Sequence, residues 1–314
     1  MRISVITPVY NRADCIVRCL ESVAAENIDG ARVEHVIADD GSTDESAALV
    51  ESFAAGHPGV HLVRLPRNAG PNAARNAAIA AATGDFVLFI DSDDCLAPGA
   101  ISIIERAISE NPGYDQYLFS CSHNRECLGS YGRKHVFDYS DFLLGAVSLD
   151  FAHVINRDTL LELPFDESLR IHEYLFHLRF YRKAGKILFI DELVSMVDTS
   201  RNDHVTRTTR KTNDRALAES LVYTKLFIEW FSNDLQGVPE GEKQLAALKG
   251  DYRKFQILSG NYRESRRAAS AGYKVSMPYR ILERTHTGKL SWQLIKLAMR
   301  LKWFIRDNFK PSSL

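Results

Sequence analysis

In the first third of the chain, short apolar runs rich in β-branched residues take turns with amphipathic stretches of helical period, and few architectures tolerate that alternation. Residues 2–9 (RISVITPV), 33–38 and 60–65 read as buried strands, and 85–90 (DFVLFI) as a continuous apolar one. Between them, residues 12–25 set Ile16, Leu20 and Val23 at helical spacing, and 44–54 reads as a second helix. Residues 71–82 form an Ala-rich helical pattern, with Pro71 at a favourable first-turn position and Gly84 just past its end. A further helix is expected over 98–109. Strands joined by helices need crossover connections, which make neighbouring strands parallel and cover both faces of the sheet. An α/β fold with a mostly parallel central sheet flanked by helices follows.

From about residue 114 the rhythm loosens. Residues 116–121, 151–155 and 186–190 read as strands and 171–183 as a helix; beyond about 206 only helical patterns remain. The expected organisation is therefore 1–113, a second half over 114–205 that completes the same sheet, and a helical C-terminal region over 206–314. With 45% hydrophobic and 25% charged residues, a chain of 314 can bury a sizeable core, which excludes a mostly disordered protein. Lys and Arg number 39 against 40 Asp and Glu, so the whole is no basic nucleic-acid binder. Five cysteines (Cys15, Cys19, Cys95, Cys121 and Cys127) imply no disulfide framework, and no second Cys or His pair completes a zinc site with Cys15 and Cys19. Small buried thiols are expected. The apolar run at the N-terminus is too short for a signal peptide, and nowhere do about 18 apolar residues run together to span a bilayer. The cytoplasm is the expected compartment.

In an open α/β sheet, ligands bind beyond the carboxyl ends of the strands, and polar residues collect there. Strand one runs into Thr7-Pro8-Val9-Tyr10-Asn11-Arg12, strand two into Asp39-Asp40-Gly41-Ser42-Thr43-Asp44, and the apolar FVLFI run into Asp91-Ser92-Asp93-Asp94. The second of these also fits a turn with a helix cap, and the first a loop with an amphipathic anchor. The third resists a bland reading. Three carboxylates in four residues repel one another unless a cation or donors compensate, and a hard divalent metal with bound phosphates does so.

Four motifs then stand in order: TPVYNR; ADDGSTD; Asn68, Gly70, Ala74, Arg75 and Asn76 in an N-x-G-x-x-x-A-R-N pattern; and DSDD. The sequence resembles glycosyltransferases of family 2, which have the GT-A nucleotide-sugar fold, over about residues 1–205. The resemblance implies a nucleotide-sugar-binding half (1–113) and an acceptor-binding, catalytic half (114–205). It implies that Thr7, Pro8, Tyr10, Asn11 and Asp40 hold the nucleotide, with Arg75, Asp91 and Ser92 beside it. Asp93 and Asp91 would bind Mn²⁺ or Mg²⁺, with Asp93 the direct ligand. The bland alternative for Arg75 is a solvated helix residue or an ion pair with Asp85.

The family carries Glu-Asp at a helix start, within patterns such as E-D-x-L-F-N-L-R-[YF], and its Asp serves as the base. Residues 172–180 read HEYLFHLRF. Aligning Leu-Phe and Leu-Arg-Phe sets His172 at the family's Glu and Glu173 at its Asp, a departure at both positions. Glu is one methylene longer and of similar basicity, so Glu173 can perform the same proton transfer. A rival register leaves Tyr174 at the base position and implies a weak or inactive enzyme. Further on, Arg201 and His204 lie where the family often meets the leaving diphosphate.

The resemblance thus implies an inverting transferase that moves a sugar from a nucleoside-diphosphate donor, by family habit a UDP-sugar. The acceptor would be a hydroxyl of a glycan or lipid-linked saccharide, in cell-surface polysaccharide synthesis. The alternative is a catalytically weakened GT-A module that binds nucleotide or a partner for assembly. A nucleotidyltransferase would need a Gly-rich loop where TPVYNR stands, and no P-loop motif occurs. Residues 289–310 hold six basic residues, one acid and two tryptophans in an amphipathic helical pattern. That pattern suits either an anionic membrane surface at the inner face of the cell membrane or docking on protein.

Overall fold

The first apolar run becomes β1 (Ile3–Val9), near the middle of a nine-stranded sheet in a computed structural model that describes residues 1–26, 32–124, 129–147, 150–170, 173–200 and 214–297. The chain divides into two compact units, Met1–Arg201 and Asn202–Leu314, and the sheet belongs to the first. Ile3, Val5, Ile6 and Val9 are all at most 2% exposed, as expected of a strand covered on both faces. Parallel to it on one side lie β2 (Val33–Asp39) and then β3 (Val60–Arg64), and on the other β4 (Phe86–Phe89). Helices α1 (Ile16–Ala24), α2 (Ser46–Gly56) and α3 (Pro71–Ala81) make the crossovers.

After β4 come the short β5 (Cys95–Leu96), α4 (Ala100–Glu110) and β6 (Gln116–Cys121). The second half adds β7 (Lys134–Asp138), α5 (Tyr139–Leu143), β8 (Ala152–Asn156), α6 (Arg157–Glu162), α7 (Glu173–Ala184) and β9 (Lys186–Met196). The sheet order is β3-β2-β1-β4-β8-β6-β9-β5, with β7 on β9. The half carrying the polar strand ends is parallel; β8, β7 and β5 introduce antiparallel pairs. β9 exceeds the expected 186–190 by six residues: it runs parallel to β6, shifts register near Ser120, and ends by pairing Ser195 and Met196 with Leu96 and Cys95. Consequently the Asp91–Asp94 turn is fastened at both ends, to β1 through β4 and to β9 through β5.

Cys15, Cys19 and Cys121 are buried thiols in no disulfide and Cys95 is half-buried, while Cys127 lies outside the described residues. Burial pushes the Cys121 thiol up to about 12, which leaves it an inert packing group. The second unit contributes α8 (Asp214–Leu235), α9 (Pro239–Leu258), α10 (Tyr262–Ser270), α11 (Met277–Thr285) and a further helix from 288 to 297. Among the described residues, no helix is long and apolar enough to cross a membrane.

Candidate active site

The carboxyl ends of β1, β2 and β4 lie along one edge, because the three strands are parallel neighbours. At the end of β1, Tyr10 is 41% exposed and Asn11 takes a left-handed conformation (φ 51°). Asn tolerates that conformation better than most residues. Asn11 Oδ1 accepts from the Thr43 amide at 2.8 Å, and the Asn11 amide donates to Ser42 Oγ at 3.0 Å, so the first two polar strand ends are tied together. Pro8 is half-buried. Thr7 points inward: its hydroxyl lies 2.9 Å from Nε2 of the fully buried His35 and 3.9 Å from Cys19 Sγ. Any nucleotide contact at this position falls to the backbone.

Asp40 is 3% exposed, and its two oxygens accept the amides of Ala69 (2.7 Å) and Gly70 (2.8 Å). Arg170, a residue that no sequence motif singled out, lies 3.8 Å from the same carboxylate and donates to Asn68 Oδ1. Gly41 (φ 69°) permits the approach, since a Cβ there would sit 2.7 Å from the Arg67 carbonyl carbon. Asp40 thus builds the loop leading into α3 as well as standing at the strand end.

Arg75, on α3, is 6% exposed. Its Nη1 meets Glu173 Oε1 at 2.6 Å and Asn72 Oδ1 at 3.3 Å, its Nη2 meets Asp91 Oδ1 at 3.3 Å, and its carbon lies 5.7 Å from the Phe165 ring centroid. Burial disfavours the guanidinium, but the charges of Glu173 and Asp91 outweigh that and raise its pKa above the ordinary value. Asp85 instead accepts the Arg2 amide at the far end of β4. Asn72 and Asn76 pin the chain before α7 to α3: Asn72 donates to the carbonyls of Asp166 and Leu169, and Asn76 exchanges hydrogen bonds with the Phe165 backbone. Those bonds set where α7 begins, and hence where Glu173 stands. Neighbouring Tyr174 turns away and donates to the Phe142 carbonyl. His172 lies outside the described residues, as do Arg201 and His204.

The acidic turn contributes Asp91, Asp93 and Asp94, which can each offer a carboxylate oxygen within 4.8 Å of the others. Asp91 is exposed, whereas Ser92 and Asp93 are 7% and 8% exposed. Asp94, the last acid of the motif, accepts the Asp198 amide at 3.0 Å. Its pKa is pushed up to about 7, chiefly by burial, with Asp91, Asp93 and Asp198 adding repulsion. Arg18 closes the ring by donating to the Asp93 carbonyl (2.7 Å) and to Asp198 (2.8 Å). Three convergent hard oxygen donors, whose mutual repulsion adds to the rise in the Asp94 pKa, fit a divalent cation.

The family profile described as Glycosyl transferase family 2 matches residues 4–184. The succinoglycan biosynthesis protein ExoO of Rhizobium meliloti is 44% identical over 106 residues, 33% of this chain and 29% of that protein, so the match spans less than a third of that relative's length. The GalNAc(5)-diNAcBac-PP-undecaprenol beta-1,3-glucosyltransferase of Campylobacter jejuni is 26% identical over 65% of this chain and 67% of its own. Among solved structures, S. aureus TarS 1-349 in complex with UDP superposes with a TM-score of 0.57 at 22% identity, covering 91% of each chain. The mannosyltransferase PcManGT from Pyrobaculum calidifontis, in complex with GDP-Man and Mn2+, gives 0.55 at 18% identity over 94% of this chain and 87% of its own. At those identities the likeness is one of fold.

Proposed function

The chain belongs to glycosyl transferase family 2 and is a transferase of GT-A fold; from that premise we propose that it moves a sugar from a nucleoside-diphosphate donor, a UDP-sugar, to an acceptor hydroxyl with inversion. The observation that carries the reading is the Arg75 bridge, which draws together the carboxylate beside the donor strand end, Asp91, and the helix-start carboxylate, Glu173. Residues 1–113 form the donor half, with Pro8, Tyr10, Asn11, Asp40, Ser92 and the backbone at Thr7 around the nucleotide. Residues 114–205 form the acceptor half.

Glu173 takes the proton of the acceptor hydroxyl as that oxygen attacks the anomeric carbon from the face opposite the diphosphate. With one carboxylate oxygen on Arg75, the other is left for the acceptor. Asp93 and Asp91, with Asp94 beside them, would hold Mn²⁺ or Mg²⁺, which when bound neutralises charge growing on the leaving diphosphate. By the family resemblance, Arg201 and His204 would serve the leaving diphosphate; both lie outside the described residues. The acceptor is a glycan or lipid-linked saccharide of cell-surface polysaccharide synthesis, a reading supported by the polysaccharide and undecaprenol-linked names of the relatives. Such an acceptor sits at the inner face of the cell membrane, where residues 289–310 would attach the enzyme.

A positioned base contributes about 10²–10⁴-fold. Glu173→Gln is therefore expected to lose transfer by about that factor while binding UDP as before, and Asp93→Ala to lose metal-dependent donor binding. Near-parental transfer by Glu173→Gln would remove Glu173 from the base role. The departure from Glu-Asp favours a second reading, a nucleotide-binding module without turnover. Titration with UDP-sugars that shows binding but no transfer to any saccharide acceptor would select it.

A further inference from the structure

Near-neutrality of the whole chain conceals a segregation of charge. Residues 249–314 contain 15 Lys and Arg against 4 Asp and Glu. Apolar side chains are turned outward in the same region. In the helix from 288 to 297, Lys296 is 8% exposed and donates to Asp214 Oδ1 at 2.7 Å, and Trp292 Nε1 donates to that oxygen at 2.9 Å. The helix therefore docks on its own unit through its lysine and tryptophan. Leu290, Leu294 and Leu297, spaced to share one face, are left 60%, 58% and 64% exposed.

α11 continues the pattern, with Met277 and Ile281 one turn apart and 63% and 51% exposed. These helices meet at one corner: His286, just after α11, lies against the Tyr262 ring of α10, and the Gly288 amide donates to the Tyr262 hydroxyl at 2.9 Å. Lys274, Arg280, Arg284 and Lys289, in the same stretch of chain, are exposed. The acid of α11, Glu283, is buried and neutralised by Arg253 at 2.5 Å. Glu264 of α10 is partly exposed but paired with Arg267 at 2.6 Å, so the outward charge is on balance basic.

Charge selects the occupant. A second copy would press one basic surface against another, whereas an anionic bilayer offers opposite charge and hydrocarbon together. We propose that α10, α11 and the 288–297 helix form a bilayer-contact surface, with the leucine stripe entering the headgroup–acyl boundary and the surrounding Lys and Arg on lipid phosphates. The proposal rests on the reading of a peripheral enzyme and assigns the contact to this folded surface rather than to residues 298–310.

Flotation of the full chain with phosphatidylglycerol-rich and with phosphatidylcholine vesicles tests it. Binding is expected to the anionic vesicles alone and to fall as salt is raised. Leu290→Ser/Leu294→Ser/Leu297→Ser and Arg280→Glu/Arg284→Glu/Lys289→Glu are each expected to bind at least about tenfold more weakly, with unchanged thermal melts. Parental binding by both variants overturns the proposal. If instead Leu301→Ser/Phe304→Ser/Ile305→Ser in the full chain releases the protein, the peripheral reading survives and this surface falls. If the unmodified chain ignores anionic vesicles, both fall. Sedimentation velocity without lipid completes the test: a dimer that the leucine variant converts to monomer would make a second copy the occupant.

Discussion

Arg75 is the residue on which the site turns, because a guanidinium with two separate carboxylates cannot be replaced by a point charge. Lys would reach Glu173 or Asp91, but its single ammonium lacks the planar fork that serves both. Arg75→Lys is expected to cost only about 1–3 kcal/mol of stability, since both acids are partly solvated, yet to lower kcat at saturating donor by about tenfold or more; thermal melts beside steady-state rates check the split. Asp94 supplies a second test. Its folded-state pKa of about 7 lies above its ordinary 3.8, so stability is lost as pH rises between those values. Asp94→Asn is exempt, and after allowance for solvent at a half-buried group it should stabilise the metal-free protein at pH 8 by roughly 1–2 kcal/mol. The same variant should show a smaller thermal shift with Mn²⁺, and an equal shift would take Asp94 out of the cation site. Residue identity announced the acids but not their partners: Asp85 and Asp91 are equally acidic in sequence, and only the placement of α3 decides which of them Arg75 meets.

At the scale of elements, the crossovers were legible because each helix buries a periodic face. α1 nevertheless begins at Ile16 instead of near Arg12, as the left-handed Asn11 and the turn after it precede the first helical residue. Asp191 and Glu192 interrupt the apolar run of β9, so the sequence pattern alone ends the strand at Ile190. In the fold Asp191 accepts from Ser120 Oγ at 2.7 Å, so the polar residue is satisfied inside the sheet. β5 and β7 leave little trace in the sequence for a related reason: two residues carry no period, and an edge strand need not alternate cleanly. The join between β2 and α3 depends on Gly41 in the same hidden way. A Cβ there would meet backbone at 2.7 Å and 2.8 Å, at Arg67 and Asn68, in a conformation that L-residues avoid. Gly41→Ala should therefore cost about 1–3 kcal/mol or more and displace the amides of Ala69 and Gly70 from Asp40. Calorimetric titration with UDP is expected to show about tenfold weaker binding, since a disturbed Asp40 is disturbed on both of its sides. Unchanged affinity would separate Asp40 from the nucleotide.

Over the whole molecule, net charge describes neither the basic C-terminal segment nor the acid response, because both arise from where charges are and not from how many there are. His35 shows this most directly. Standing on β2 beside β1, it is fully buried, with Nε2 on Thr7 and Nδ1 without a partner, and burial pulls its pKa down to about 3. In the unfolded chain it titrates near 6.5, so below that pH the unfolded state takes up a proton that the native state refuses. Stability is complete above about pH 6.5 and falls by about 1.4 kcal/mol per pH unit towards 3, some 2 kcal/mol by pH 5. His153 and His177, stacked at 4.0 Å, are shifted in the same direction by burial, but each keeps a partly exposed edge through which solvent softens the effect. Asp94 opposes them over an overlapping range, gaining stability as pH falls from about 7. The comparison that isolates His35 is therefore between slopes: urea unfolding at pH 7, 6 and 5 for the parent and for His35→Gln, whose amide can still reach Thr7. The variant should lose close to one proton's worth of acid sensitivity over this window, and parallel slopes would mean that His35 is protonated in the native protein despite its burial.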